Sequence, residues 1–303
     1  MISSTAAGCP MPEPRRFLLA TDLDRTLIPN GPQSESPGAR ETFSALAARP
    51  EVSLAYVSGR HRALVVSAIS SYVLPVPDYV VADVGTTIYE VEDRQHWHHL
   101  KSWDEQIAAD WNHLSHVELK RLLADVPALR LQESRKQNRH KLSYYVPLHA
   151  DRNALSALVR QRFEDEGIRA SLVWSVDEPA GIGLLDVLPA GATKFHAVCA
   201  LIGRLGLSAE QTVFCGDSGN DIEVLVSHIP AVLVANAQPE VRVAATTLAA
   251  QRGHADRLFC AEGGFAGMNG NYAAGIIEGL VHYHPVVATW LGDRLAEGPS
   301  VAS

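Results

Sequence analysis

The chain has 303 residues, 47% of them hydrophobic and 20% charged, which suits one large globular domain or two smaller ones and excludes a disordered chain. A formal net charge of -8, with no run of Lys or Arg, excludes the basic face of a nucleic-acid binder, so a phosphorylated ligand has to be met by local groups. No stretch is long and apolar enough to span a bilayer, residues 1–14 lack the basic flank and apolar run of a signal peptide, and the expected compartment is the cytoplasm.

Short apolar runs at 17–20, 52–57, 79–82, 212–215 and 231–235 read as buried strands. Helical patterns at 37–48, 62–72 and 193–205 lie between several of them, and this alternation predicts an α/β fold with a doubly wound parallel-sheet (Rossmann-like) core. The middle reads differently: a helical stretch at 103–124, a strand at 140–146, a helix at 152–166 and strands at 170–176 and 181–187 suggest a separate α+β layer. The expectation is a discontinuous core, 15–97 and 188–295, with a cap domain, 98–187, inserted into it. Residues 29–37 read as a surface loop, 275–283 as a core helix, and 1–14 and 297–303 as frayed ends. The scattered cysteines Cys9, Cys199, Cys215 and Cys260 read as reduced thiols, not as a disulfide or zinc set. The run His96-Trp97-His98-His99 also declines a metal reading, because neighbours on a strand point to opposite faces; an exposed strand joining core to cap is simpler.

Ligands of doubly wound sheets sit at the carboxyl ends of the strands, so the residues following each apolar run carry the functional argument. After 17–20 come Asp22 and Asp24, followed by Thr26; two carboxylates on one face suit attack on phosphorus and proton transfer to a leaving oxygen. After 52–57 come Ser58 and Gly59, a hydroxyl and a backbone N–H at the start of a helix, which favour a phosphate oxygen. Lys194 opens a helix at the same edge, where a cation neutralises phosphoryl and aspartate charge. Gly216-Asp217-Ser218-Gly219-Asn220-Asp221 follows 212–215 and offers oxygen ligands to a hard cation, without the distant glutamate of a calcium-binding EF-hand. Taken alone, the first three pieces read more readily as a polar capping loop, a helix cap and a surface lysine, and the fourth can be an ordinary turn.

The four pieces in this order resemble the haloacid dehalogenase superfamily: DLDRT (22–26), the serine of VSGR, Lys194 and GDSGND (216–221). The resemblance implies that Asp22 forms an aspartyl-phosphate and Asp24 is the general acid and base. It implies Mg2+ held by Asp22, Asp217 and the backbone carbonyl of Asp24, phosphate bound by Thr26, Ser58, Gly59 and Lys194, and support from Asn220 and Asp221. A cap inserted between the serine and the lysine resembles the type with an α+β cap. Over most of its length the chain resembles the sucrose-phosphate phosphatase family, through 83–89, 137–144, 185–189 and 236–240. That resemblance implies a small-molecule sugar phosphate as substrate, sucrose 6-phosphate or a related disaccharide phosphate, gripped by Asn138, Lys141 and Asp186. Mannosylfructose phosphate, mannosyl-3-phosphoglycerate and glucosylglycerol phosphate are the alternative substrates, and a phospho-acceptor signalling domain is the alternative of another class. No nucleic acid or membrane partner is expected; a glycosyltransferase that makes the phosphorylated sugar is a candidate partner. Arg25 departs from the family pattern, where asparagine is usual, as do Phe195 after Lys194 and a longer loop at 29–38.

Overall fold

The computed structural model describes residues 16–177 and 180–296. Cys9 and the ends expected to fray lie outside these residues. Strands β1 (Phe17–Thr21), β2 (Val52–Val57) and β3 (Tyr79–Ala82) are joined by helices α1 (Ala39–Ala47) and α2 (Arg62–Ser71). A hairpin, β4 (Thr87–Val91) and β5 (Trp97–His99), adds antiparallel strands to β3. The chain then leaves the sheet through α3 (Lys101–Ala108) and α4 (His116–Leu122). A second, antiparallel sheet follows, built from β6 (Arg130–Leu131), β7 (Leu142–Val146), β8 (Ala170–Asp177) and β9 (Ile182–Pro189), with α5 (Arg152–Asp165) between β7 and β8. It returns through α6 (Lys194–Leu205), β10 (Thr212–Gly216), α7 (Ile222–Leu225), β11 (Ala231–Leu233), α8 (Pro239–Gln251), β12 (Leu258–Cys260), α9 (Ala273–Tyr283) and α10 (Val286–Ala296).

The large sheet has the order β12-β11-β10-β1-β2-β3-β4-β5, and β12 through β3 run parallel. β1 lies between β2 and β10, so the chain winds outward from β1 to one side and later returns to its other side. The carboxyl end of β1 is thus the switch point where such sheets open a crevice. Helices cover both faces, and β1 shows why its sequence is apolar throughout: Phe17 and Leu19 enter one core with Phe43, Val65, Ile276 and Leu280, while Leu18 and Ala20 enter the other with Trp103, Val198, Leu201 and Leu225.

The small sheet alternates instead. Leu142, Tyr144, Val146, Leu185 and Val187 pack with Leu119, Val159 and Phe163 of α4 and α5 in a third core. Ser143 and Asp186, paired across β7 and β9, belong to the other face. The large sheet runs through His99 and the small one through Pro189, slightly beyond the expected joins at 97 and 187.

One expected element is corrected. The single helix at 103–124 is two, α3 and α4, with a short 3-10 turn between them. Asn112 (φ 50) and His113 (φ 62) adopt left-handed backbone, which no α-helix continues, and the Asn112 side-chain amide donates to the Glu166 carbonyl at 2.9 Å. Ser115 and Glu118 then form a capping box that restarts the helix.

The histidines at 96–99 behave as an exposed strand. His96 faces Asp93 (2.8 Å), His98 faces Glu92 (3.1 Å) and His99 faces Asp104 (3.1 Å), so they share no focus. No described helix is long and apolar enough to cross a membrane.

Candidate active site

β1 delivers Asp22 to the switch point, and the Asp22 N–H donates to the Cys215 carbonyl (2.9 Å), which fixes the aspartate against the end of β10. Next along β10, Gly216 lets the GDSGND turn fold back on itself. A Cβ at this position would lie 2.6 Å from the Asp221 carboxyl carbon, far inside van der Waals contact. Asp221 is fully buried, and one of its oxygens accepts from the backbone N–H groups of Asp217 (3.2 Å) and Ser218 (3.1 Å). Gly216→Ala is therefore expected to displace Asp221, to destabilise the fold by about 1–3 kcal/mol and to abolish most activity. Denaturant unfolding checks the first effect and phosphate release the second.

Lys194, 2% exposed, opens α6 behind an N-cap, Thr193, whose hydroxyl accepts from the His196 N–H. Its ammonium donates to Asp22 Oδ1 (2.9 Å), Asn220 Oδ1 (2.9 Å) and Asp221 Oδ1 (2.7 Å), which uses all three N–H bonds. The corner between β3 and β4 holds that helix end in place: the Val84 N–H donates to Ser58 O (3.2 Å), and Gly85, at φ +108, packs on the Thr193–Lys194 backbone.

Asp22, Asp217 and Asp221 offer oxygens that all lie within 4.8 Å of one another, and all three residues are buried. Burial pushes the Asp22 carboxyl up to about 7; the Lys194 charge opposes this, while Asp221 and Asp217 add to it. Burial and the neighbouring Asp221 likewise push Asp217 to about 6, against a hydrogen bond from Thr26. Burial alone would lower the Lys194 ammonium, but Asp22 and Asp221 hold it above the ordinary lysine range. The cluster is short of positive charge, and its hard-oxygen donor set is what a small divalent cation requires.

Asp24 sits differently. Its carboxylate faces Arg60, whose Nε and Nη2 donate to its two oxygens at 2.7 and 2.5 Å, and Asn30 Nδ2 donates to Oδ1 at 2.7 Å. Burial would raise it, but the Arg60 and Asn30 hydrogen bonds hold it below the usual carboxylate range. Thr26, grouped with the phosphate-binding residues on sequence, is fully buried and donates its hydroxyl to Asp217 Oδ1 at 3.1 Å; it positions that carboxylate. Ser58, 1% exposed, accepts from the Arg60 N–H at 3.2 Å.

A cleft of about 360 Å3 opens over these groups, lined by Asp22, Asp24, Gly59, Asp217 and Asn220 among the expected residues. Arg25, Arg60, Leu64, Gln238 and Val241 also line it. Arg60 directly follows Gly59, so its presence was visible in the sequence, but its pairing with Asp24 across 36 positions was not.

Asn138, Lys141 and Asp186 do not line the cleft. They gather at the β3–β4 corner beside it, where Asn138 Nδ2 donates to Thr86 Oγ1 (2.9 Å). Lys141 Nζ lies 3.7 Å from Asp83 and 3.6 Å from Asp186.

The model of the Sucrose-6F-phosphate phosphohydrolase family matches residues 15–284. A HAD-like hydrolase of Nitrosococcus oceani is 51% identical over 91% of this chain and 74% of its own length. The mannosylfructose-phosphate phosphatase of Agrobacterium fabrum is 31% identical over 88% of this chain and 96% of its own. The sucrose-phosphatase of Synechocystis sp. PCC6803, solved with sucrose and phosphate, superposes with a TM-score of 0.68 at 26% identity, covering 89% of this chain and 98% of that one. The chain spans about half the length of the plant sucrose-phosphatases it matches, 52% in each case. With three of its motifs at the ends of the adjacent strands β10, β1 and β2 and the fourth, Lys194, at the start of α6 reaching Asp22, the chain belongs to the sucrose-6F-phosphate phosphohydrolase family, sugar phosphatases of the haloacid dehalogenase superfamily.

Proposed function

We propose that this chain hydrolyses the phosphate monoester of a sugar, most readily sucrose 6-phosphate or a closely related disaccharide phosphate, with Mg2+ and through an aspartyl-phosphate on Asp22. The observation that carries this reading is the fully buried Lys194 ammonium, which gathers Asp22, Asn220 and Asp221 beneath an open cleft that Asp22 and Asn220 line.

The Asp22 oxygen that does not bind Lys194 attacks phosphorus, and the ester oxygen leaves with a proton from Asp24. Asp24 then takes a proton from the water that hydrolyses the acyl phosphate. Paired with Arg60, Asp24 is a committed carboxylate, so the proton-donating form requires this pair to open. Ser58 and the Gly59 N–H lie where phosphoryl oxygens arrive, and Lys194 acts on the same group through its charge. Asp22, Asp217 and the Asp24 carbonyl would hold Mg2+, with Asp221 and Asn220 fixing the frame around them. When bound, that cation supplies the charge that the clustered carboxylates and the incoming phosphoryl group both need. The cap, 98–187, sets the specificity in this reading.

Asn138, Lys141 and Asp186 are assigned to the sugar because they gather at the β3–β4 corner next to Ser58 and the start of α6, Asp186 coming from β9 of the cap sheet. Lys141→Ala and Asp186→Ala are expected to raise KM for the sugar phosphate about tenfold, since each removes a charge-assisted hydrogen bond. Activity toward an aryl phosphate without a sugar should stay near wild type in both variants. An equal loss on both substrates, in steady-state kinetics, would sink the sugar role.

A panel of phosphorylated sugars with phosphate detection ranks sucrose 6-phosphate against mannosylfructose phosphate, mannosyl-3-phosphoglycerate and glucosylglycerol phosphate. If the folded, Mg2+-loaded protein releases phosphate from none of a broad panel, the reading fails. Co-purification with the glycosyltransferase that makes the preferred substrate tests the expected partner.

A further inference from the structure

We propose that Arg25 is an anion-binding residue of the cleft, whose Nε–Nη2 edge takes an oxygen of the substrate's phosphoryl group. The proposal rests on the phosphatase reading above and adds to it a residue at the position where the family pattern has asparagine.

The three cations that line or floor the cleft differ in what their donors do. Lys194 has its three N–H bonds on Asp22, Asn220 and Asp221. Arg60 has Nε and Nη2 on Asp24. Arg25 Nε and Nη2 are buried and have no hydrogen-bond partner among the described residues. The nearest carboxylate, Asp217 Oδ2, is 3.7 Å from Nε, which is ion-pair range but beyond hydrogen-bond reach. Nε and Nη2 form the fork of a guanidinium that grips an oxyanion with two parallel hydrogen bonds. An arriving phosphate dianion therefore finds in Arg25 a cation whose Nε and Nη2 it can engage without first breaking a hydrogen bond.

The backbone holds this side chain in place with unusual care. Arg25 is left-handed (φ 60), a conformation that disfavours a long side chain and needs support from its surroundings. Its N–H donates to Asn30 Oδ1 (2.8 Å) and to the Ile28 carbonyl (3.1 Å), and its carbonyl accepts from Asn236 Nδ2 (2.6 Å). Asn236 Oδ1 in turn accepts from the Tyr272 N–H (2.8 Å), and the Tyr272 hydroxyl donates to Gln33 O (3.1 Å). Asn269 and Asn271 both donate to the Ser34 carbonyl. The long loop at 29–38 is thus pinned to 269–272, and through Asn30 it braces Arg25. The two departures from the family pattern at the mouth of the site act as one device.

Inorganic phosphate is the probe. With Mg2+ present, calorimetric titration is expected to show phosphate binding Arg25→Asn about tenfold more weakly than the wild type, and Arg25→Lys in between, since lysine keeps the charge but not the fork. KM for a sugar phosphate should rise with the phosphate dissociation constant, with a smaller change in kcat, while a purely structural role would move the melting temperature and leave phosphate affinity alone. Phosphate affinity within about twofold of wild type in both variants overturns the assignment. If Arg25→Asn does not fold, Arg25→Lys carries the test, with about threefold weaker binding expected and unchanged binding overturning it. A wild-type protein that hydrolyses sugar phosphates while both variants keep their phosphate affinity sinks only Arg25; one that neither binds phosphate nor hydrolyses any sugar phosphate sinks the phosphatase reading itself.

Discussion

Asp22→Asn is expected to lose phosphatase activity by about three orders of magnitude or more, while the protein folds and melts close to wild type. The two halves of this expectation have separate causes. Asparagine has no anionic oxygen to attack phosphorus, so the acyl phosphate cannot form. The amide oxygen can still accept from Lys194, whose other contacts, to Asn220 and Asp221, do not involve position 22. The wild-type carboxyl is already pushed up to about 7 by burial and by its neighbours, so a neutral isostere removes repulsion as well as attraction. Phosphate release with a sugar phosphate measures the loss, and thermal unfolding with and without Mg2+ shows that the fold is retained. Acid-quenched wild-type protein should carry a phosphoryl group on the peptide containing Asp22, and Asp22→Asn should carry none. The lifetime of that adduct separates the two classes of function. In a phosphatase, Asp24 hastens its hydrolysis and it is seen only during turnover; in a phospho-acceptor signalling domain it outlives the phosphodonor. Retained phosphate release by a folded Asp22→Asn protein would remove Asp22 from the chemistry altogether.

Most of the core was legible because its signals are local. The strands at 17–20, 52–57, 79–82 and 212–215 are apolar on both faces, the mark of a strand with a helix layer on each side, and all four lie where expected. Strand ends then located Asp22, Ser58 and Asp217, and a helix start located Lys194, without any knowledge of contacts. The edges were harder to read. β12, Leu258–Cys260, is three residues long, too short for a periodicity to emerge, and β4 was visible only as a motif, whereas β5, Trp97–His99, was expected from the exposed run at 96–99. The continuous helix at 103–124 failed at Asn112 and His113, where left-handed backbone interrupts a pattern whose apolar spacing persists on either side. Within the site, what escaped was tertiary pairing. Thr26 reads as a hydroxyl near phosphate until its partner, Asp217, appears 191 positions away. Asp24 reads as a free acid until Arg60 and Asn30 are seen to occupy it. Asp83 and Thr86, which meet the cap residues, follow the same rule.

Lys194→Ala is expected to lower activity at least about a hundredfold and to destabilise the metal-free protein by roughly 3–5 kcal/mol near pH 8, because it leaves buried carboxylates without their counter-ion. The pH dependence makes this specific. An ordinary aspartate ionises near 3.8, whereas folding holds Asp22 near 7 and Asp217 near 6. Between pH 4 and these values the folded metal-free protein binds more protons than the unfolded chain, so stability falls as pH rises, by up to about 1.4 kcal/mol per pH unit for each group, and the fall ends above pH 7. Other carboxylates oppose this trend: Asp24, held below its usual range by Arg60, adds stability as pH rises through the acid range. The Asp22 and Asp217 contribution is therefore read from differences between variants. Without Lys194, both carboxyls lose a favourable charge and keep their protons to still higher pH. The deficit of Lys194→Ala should then be largest at pH 8, shrink toward pH 5 where the cluster is neutral, and narrow again at pH 8 when Mg2+ is added. Urea unfolding of both proteins at the two pH values, with and without Mg2+, provides the comparison. A deficit of the same size under all four conditions would mean that Lys194 acts through packing of its buried chain and that its charge on the carboxylates is immaterial to the fold.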